Sequence, residues 1–126
     1  MCGICGFTGE IDNKDKIIKE MTNLITHRGP DSSGFFTDEN IAMGFRRLSI
    51  IDLNQGNQPI FNEDKTLVLT FNGEIYNYKE LKEELINENH TFNTDTDSEV
   101  LIHGFEQWKE NLLYKLRGMF SYIQHR

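Results

Sequence analysis

Gly34-Phe35-Phe36-Thr37-Asp38-Glu39-Asn40-Ile41-Ala42-Met43-Gly44-Phe45 reads as strand, turn, strand. Apolar residues fill the flanks, 34–37 and 41–45, and Asp38-Glu39-Asn40 supplies the polar residues that close a hairpin. A connection this short cannot hold the crossover that parallel strands need, so the two strands run antiparallel. Upstream, residues 4–8 read as a strand ended by Gly9, and Ile17, Ile18, Met21, Leu24 and Ile25 recur at helical spacing within residues 14–26. Downstream, residues 66–71 are rich in strand formers after the polar turn Asn62-Glu63-Asp64-Lys65, and the strand is expected to end at Asn72-Gly73. A helix is predicted over residues 78–88 with Asn77 as its N-cap. Another begins at Thr96-Asp97-Ser98-Glu99, which matches the capping-box pattern and places Asp97 in the first helical turn. A short helical piece, 112–116, is stopped by Gly118, and residues 119–123 resume as a strand. Strands joined by turns, with helices between them, predict an α+β fold in which helices pack on antiparallel sheet.

The chain of 126 residues fits one domain with a real core. Its net charge of −7 and pI near 5.0 argue against nucleic acid, because phosphate binding needs clustered Lys and Arg, and only Arg46-Arg47 are adjacent. No apolar run approaches the roughly 20 residues that span a bilayer, and the N-terminus lacks a signal-peptide layout. A cytoplasmic protein with no membrane partner is the expectation.

Cys2 and Cys5 form a CxxC, the spacing of a disulfide, a metal half-site or a redox pair. Zinc needs two more ligands, and His27, His90, His103 and His125 show no close pair of the usual spacing, so no metal site is expected. In a reducing compartment Cys5 is most simply a small buried residue. Cys2 differs because it follows the initiator Met1. Aminopeptidases remove an initiator Met when the second side chain is small, which leaves an α-amine and a thiol on one residue. An α-amine, with a reference pKa of about 7.7–8.0, is suited to take a proton from a thiol of about 8.5, and an N-terminal nucleophile served by its own amine is an established device. The plain alternative is a cysteine at the start of a strand.

A thiol that attacks a carbonyl needs donors for the developing oxyanion and charges to orient the substrate. Asn72-Gly73 offers an amide side chain and an unobstructed backbone N–H, or else a simple turn. Arg47, at the end of a strand, suits a carboxylate held by two parallel hydrogen bonds, and Glu74 and Asp97 suit an ammonium. Each also has a structural reading: surface arginine, solvated turn residue, helix N-terminal charge. Taken together they suit an amino acid that carries a side-chain amide.

Cys2-Gly3-Ile4-Cys5-Gly6, His27-Arg28-Gly29-Pro30-Asp31, Arg47-Leu48-Ser49-Ile50-Ile51-Asp52, Asn72-Gly73-Glu74-Ile75-Tyr76-Asn77 and Thr96-Asp97-Ser98-Glu99 occur in the order seen in class II glutamine amidotransferases. The chain resembles the N-terminal glutaminase domain of asparagine synthetases. That resemblance implies the αββα sandwich of antiparallel sheets found in N-terminal nucleophile hydrolases. It implies that Cys2 attacks L-glutamine, that Asn72 and Gly73 form the oxyanion hole, that Arg47 grips the substrate carboxylate, and that Glu74 and Asp97 hold its ammonium. The backbone of Leu48, Ser49, Ile50 and Ile51 is expected to line the pocket, and residues 27–31 to shape it.

Family members continue their sheet beyond the pattern of residues 118–123 and add a synthetase domain that accepts ammonia and uses ATP and Mg. Residues 1–126 are therefore expected to be a partial amidotransferase domain, incomplete at its C-terminus, with the synthetase domain absent and no cofactor of its own. Open sheet edges predict self-association. A truncated remnant that only binds glutamine or a partner is the competing expectation.

Overall fold

Residues 41–47 are buried along their length except at Arg46, as expected of a strand covered on both faces. In the computed structural model, which describes residues 2–49 and 56–126, this run is the middle strand of one of two antiparallel sheets. In chain order the elements are β1 (Gly3–Thr8), α1 (Lys14–Leu24), a 3-10 turn (Thr26–Arg28), β2 (Ser32–Thr37), β3 (Ile41–Arg47) and β4 (Ile60–Phe61). They continue with β5 (Val68–Ile75), α2 (Tyr78–Asn87), α3 (Glu99–Trp108), a second 3-10 turn (Lys109–Asn111), α4 (Leu112–Lys115) and β6 (Gly118–His125). The sheets have the orders β1-β3-β2 and β4-β5-β6.

The period of two along each strand assigns the faces. Ile41 and Met43 of β3 meet Val68 of β5, with Phe36 and Ile123 packed around them, so this face of the first sheet lies against the second. The other face takes α1, whose Ile18 and Thr22 are buried; Cys5 Sγ lies 3.6 Å from Thr22 Oγ1, which itself bonds Ile18 O at 2.6 Å. On β5, Leu69, Phe71 and Ile75 point away from the first sheet into a larger core with Leu81 and Leu85 of α2, Val100, Leu101 and Ile102 of α3, and Leu112 of α4. Each such fully buried side chain contributes about 1.5–3 kcal/mol relative to exposure. The layers are α1, sheet, sheet, then α2 with α3: the expected αββα sandwich.

His125 Nε2 and Asp38 Oδ2, 2.6 Å apart, tie the end of β6 to the β2–β3 turn. Burial alone would raise the Asp38 carboxyl, but the Asn40 N–H, the His125 ring and the Ile41 N–H hold it below its usual value.

Two local expectations are corrected and a third is refined. The strand does not end at Asn72-Gly73: β5 runs on to Ile75 because β6 pairs along it, Gly73 opposite Phe120 and Ile75 opposite Gly118. Glycine is required there, since φ is +145° and a Cβ would stand 2.2 Å from the Met119 carbonyl oxygen. Asn77 is the N-cap residue of α2, as expected, but its side chain makes no cap hydrogen bond. Its Nδ2 donates to Lys115 O at 2.8 Å and its Oδ1 accepts from Arg117 N at 3.0 Å, which fixes the entry to β6. The capping box does not form either, because α3 starts at Glu99 with Ser98 as N-cap and no side-chain cap bond. Asp97 thus precedes the helix. The two-residue β4 left no periodic signal to read.

Candidate functional site

Alternation along β1 separates the two cysteines. Cys2 shares a face with Gly6, where a Cβ would lie 3.1 Å from Ile123 Cδ1 of the opposite sheet, whereas Cys5 faces α1. Both thiols are free. The CxxC is therefore two unrelated positions: Cys5 packs, and Cys2 opens toward the space between the sheets. Leu48 N–H points at Cys2 Sγ at 3.4 Å, the sulfur lies 3.9 Å from Leu48 O, and Arg28 Nη2 donates to Cys2 O at 3.4 Å.

Arg47 has the parity of Ile41 and Met43, so it emerges from the end of β3 into the same space. It is only 8% exposed, and its Nη1 donates to Asn57 Oδ1 at 3.2 Å. The loop at 27–31 holds this strand end. Gly29 lies so close that a Cβ would stand 2.5 Å from the Arg46 carbonyl carbon. Arg46 Nε donates to Gly29 O at 2.8 Å, Asp31 N to Arg47 O at 3.0 Å, and Ser49 N to Asp31 Oδ2 at 2.7 Å.

The facing wall comes from β5. Asn72 and Glu74 have the parity of Val68 and so turn toward the first sheet, with Gly73 between them. Asp97 joins them through Ile75 N–H, which donates to its Oδ2 at 2.8 Å. Burial pushes the Asp97 carboxyl up, and the negative charge of Glu74 adds to this; N–H groups of Ile75, Asp97 and Ser98 oppose it only in part. The segment before Asp97 is anchored by Glu99. Its carboxylate accepts from Asn93 N and Thr94 N at 2.8 Å each and from Thr94 Oγ1 at 2.6 Å. Burial alone would raise the Glu99 carboxyl, yet the His103 ring and these donors hold it at about 2.

The two walls enclose a cleft of about 390 Å³. Cys2, Arg47 and Leu48 line one side, and Asn72, Gly73, Glu74 and Asp97 the other, with Phe45, Tyr76 and Met119 among the remaining lining residues. Ser49 is described but lies outside the lining, held by Asp31. Ile50 and Ile51 lie outside the described residues. A thiol, a cation, two carboxylates and amide groups thus share one cleft, an arrangement that suits attack on the carbonyl of a zwitterionic substrate.

Sequence reasoning missed Gln58. Its Oε1 accepts from Phe71 N at 2.6 Å and its Nε2 donates to Phe71 O at 3.2 Å, extending the β4–β5 ladder with a side-chain amide just before β4 begins. No spacing rule marks a glutamine for that role. Arg28 and Glu99 were within quoted motifs but without an assigned partner; only the fold supplies one. Among the described residues no helix is long and apolar enough to cross a membrane.

A family model described as "Glutamine amidotransferase domain" matches residues 1–125. The chain is 49% identical to "Asparagine synthetase [glutamine-hydrolyzing] 1" of Bacillus subtilis (strain 168), over 95% of this chain and 20% of that protein. It is 43% identical to "Asparagine synthetase [glutamine-hydrolyzing]" of Zea mays, over 98% of this chain and 21% of that one. The chain thus spans about a fifth of the length of these curated relatives. Among solved structures, glutamine phosphoribosylpyrophosphate amidotransferase of B. subtilis superposes with a TM-score of 0.77 over 98% of this chain and 35% of that one, at 20% identity, a likeness of fold.

Proposed function

The chain belongs to the glutamine amidotransferase domain family, and from that premise we propose that Cys2 hydrolyses the side-chain amide of L-glutamine to glutamate and ammonia. The observation that carries the reading is the convergence of Cys2, Arg47, Asn72, Gly73, Glu74 and Asp97 on one cleft. Removal of Met1 frees the Cys2 α-amine to take the thiol proton. The thiolate attacks the amide carbon, and the Asn72 side chain and Gly73 N–H receive the negative charge that builds on oxygen. The C–N bond breaks with a proton delivered to nitrogen, so ammonia leaves and a γ-glutamyl thioester remains. Water then cleaves that thioester. Arg47 holds the α-carboxylate, Glu74 and Asp97 hold the α-ammonium, and Leu48 borders the substrate.

The names of the relatives support asparagine synthesis as the destination of the ammonia. In this proposal ATP and Mg serve a synthetase domain, and the cleft uses no cofactor of its own. The proposed setting is the cytoplasm, with self-association through open sheet edges. Trapping tests the chemistry. With hydroxylamine present, the chain incubated with glutamine should yield γ-glutamyl hydroxamate, and Cys2→Ala should yield none; equal yields from both chains would refute a Cys2 thioester.

A further inference from the structure

On the far side of the second sheet, the fold gathers two histidines that the sequence keeps apart. His103 of α3 is 2% exposed, and its ring sits 5.5 Å from that of His90, which follows α2. His90, His103 and Glu106 each offer a ligand atom, all within 4.8 Å of one another. Glu63, from the β4–β5 turn, brings a second carboxylate to 3.6 Å from His103 Nδ1.

The polarity of these atoms does not balance by itself. His103 Nε2 faces Glu99 Oε1 at 3.2 Å; with the Nε2–H donated to that carboxylate, the neutral ring carries its lone pair on Nδ1. That lone pair points at carboxylate oxygens, Glu106 Oε1 at 3.5 Å and Glu63 Oε1 at 3.6 Å. His103 Nδ1 and Glu106 Oε1 are both buried, and neither has a hydrogen-bond partner among the described residues. Acceptors that face each other in a buried place need a positive charge between them. A proton on Nδ1 is one answer, but an N–H···O bond draws its atoms to about 2.7–3.2 Å. Zinc bonds of about 2.0–2.2 Å in a tetrahedron set neighbouring ligand atoms roughly 3.4 Å apart, close to the 3.5 and 3.6 Å from His103 Nδ1 to its two carboxylates, and His90 offers its ligand atom within 4.8 Å of those of His103 and Glu106.

We propose that His90, His103, Glu106 and Glu63 form a binding site for a divalent transition ion of the zinc type. The donor set of imidazole and carboxylate suits that ion, and Glu99 supplies the outer carboxylate that fixes the tautomer of a ligating histidine. The ion clips the β4–β5 turn, the segment after α2 and the buried face of α3 together. Through Glu99 it also braces Asn93 and Thr94, which lead to Asp97 on the cleft wall. The clip is structural and stands apart from the cleft chemistry.

Calorimetric titration with Zn²⁺ alone tests this on the chelator-treated full chain carrying Cys2→Ser, which removes the cleft thiol as a rival ligand. One ion per chain is expected, with binding that releases protons and a higher Tm in its presence. His90→Ala and Glu63→Gln alter residues at the solvent side of the cluster, and each should weaken binding roughly 10-fold or more. Circular dichroism checks that both variants stay folded. Absence of saturable binding, or binding unchanged in both variants, would overturn the site and leave a proton between His103 and its carboxylates.

Discussion

At the residue scale, the cleft depends on single side chains held by hydrogen bonds. Arg47 is buried and pre-oriented by Asn57, so in the proposed reaction a substrate carboxylate would meet a fork already in place. Arg47→Lys keeps the charge and loses the paired donors. Hydrogen bonds to charged groups are worth about 1.5–3 kcal/mol, so KM for glutamine should rise by roughly 10- to 100-fold while kcat changes less; an unchanged KM in steady-state assay would remove Arg47 from the substrate site. Asp97 gives a pH signature of definite sign. Its folded carboxyl is raised above 3.8, so its contribution to stability is present below that value and is lost as pH rises through the folded value. Substrate binding runs the other way, because an ammonium needs the carboxylate ionised. KM should therefore climb as pH falls into the acid range, beginning at higher pH than an ordinary carboxylate would dictate, and Asp97→Asn should have a high KM that no longer follows pH in this way.

At the element scale, β5 carries the second wall, and Gly73 lets it pass β6 at close range. Gly73→Ala meets both a left-handed φ and the Met119 carbonyl, so a thermal melt should show a loss of roughly 2–4 kcal/mol, with kcat falling as the proposed oxyanion donor shifts. A wild-type melt would mean that the strand relaxes without cost. The same strand marks the limit of what the sequence discloses. Hydrophobic period and turn chemistry located α1, the β2–β3 hairpin and the start of β5, because those signals are local. Asn72-Gly73 misled, since Asn-Gly has a strong local preference for a turn and only the pairing with β6 overrides it. Asn77 sits at the expected N-cap, but its side chain, like that of Glu99, satisfies backbone groups elsewhere, Lys115 and Arg117 in one case and Asn93 and Thr94 in the other. Cys2, Arg47, Asn72, Gly73, Glu74 and Asp97 were legible as a set through their order along the chain, whereas Gln58 and the His90–His103 pair required the fold.

At the scale of the whole molecule, the cleft lies between two sheets that share a small inter-sheet cluster and are tied by His125 and Asp38. β1, β2, β4 and β6 are edge strands among the described residues, and Met119 on β6 is 65% exposed. Unpaired strand edges favour association, so sedimentation should show a mass that rises with concentration; a monomer across the whole range would refute it. The central claim concerns Cys2 and is tested most directly by mass spectrometry of the chain treated with an electrophilic glutamine analogue. The account predicts a product that lacks Met1 and carries one label, mapped to Cys2 and suppressed by excess glutamine. A chain that retains Met1, or one that takes up label elsewhere while Cys2 stays free, would contradict it.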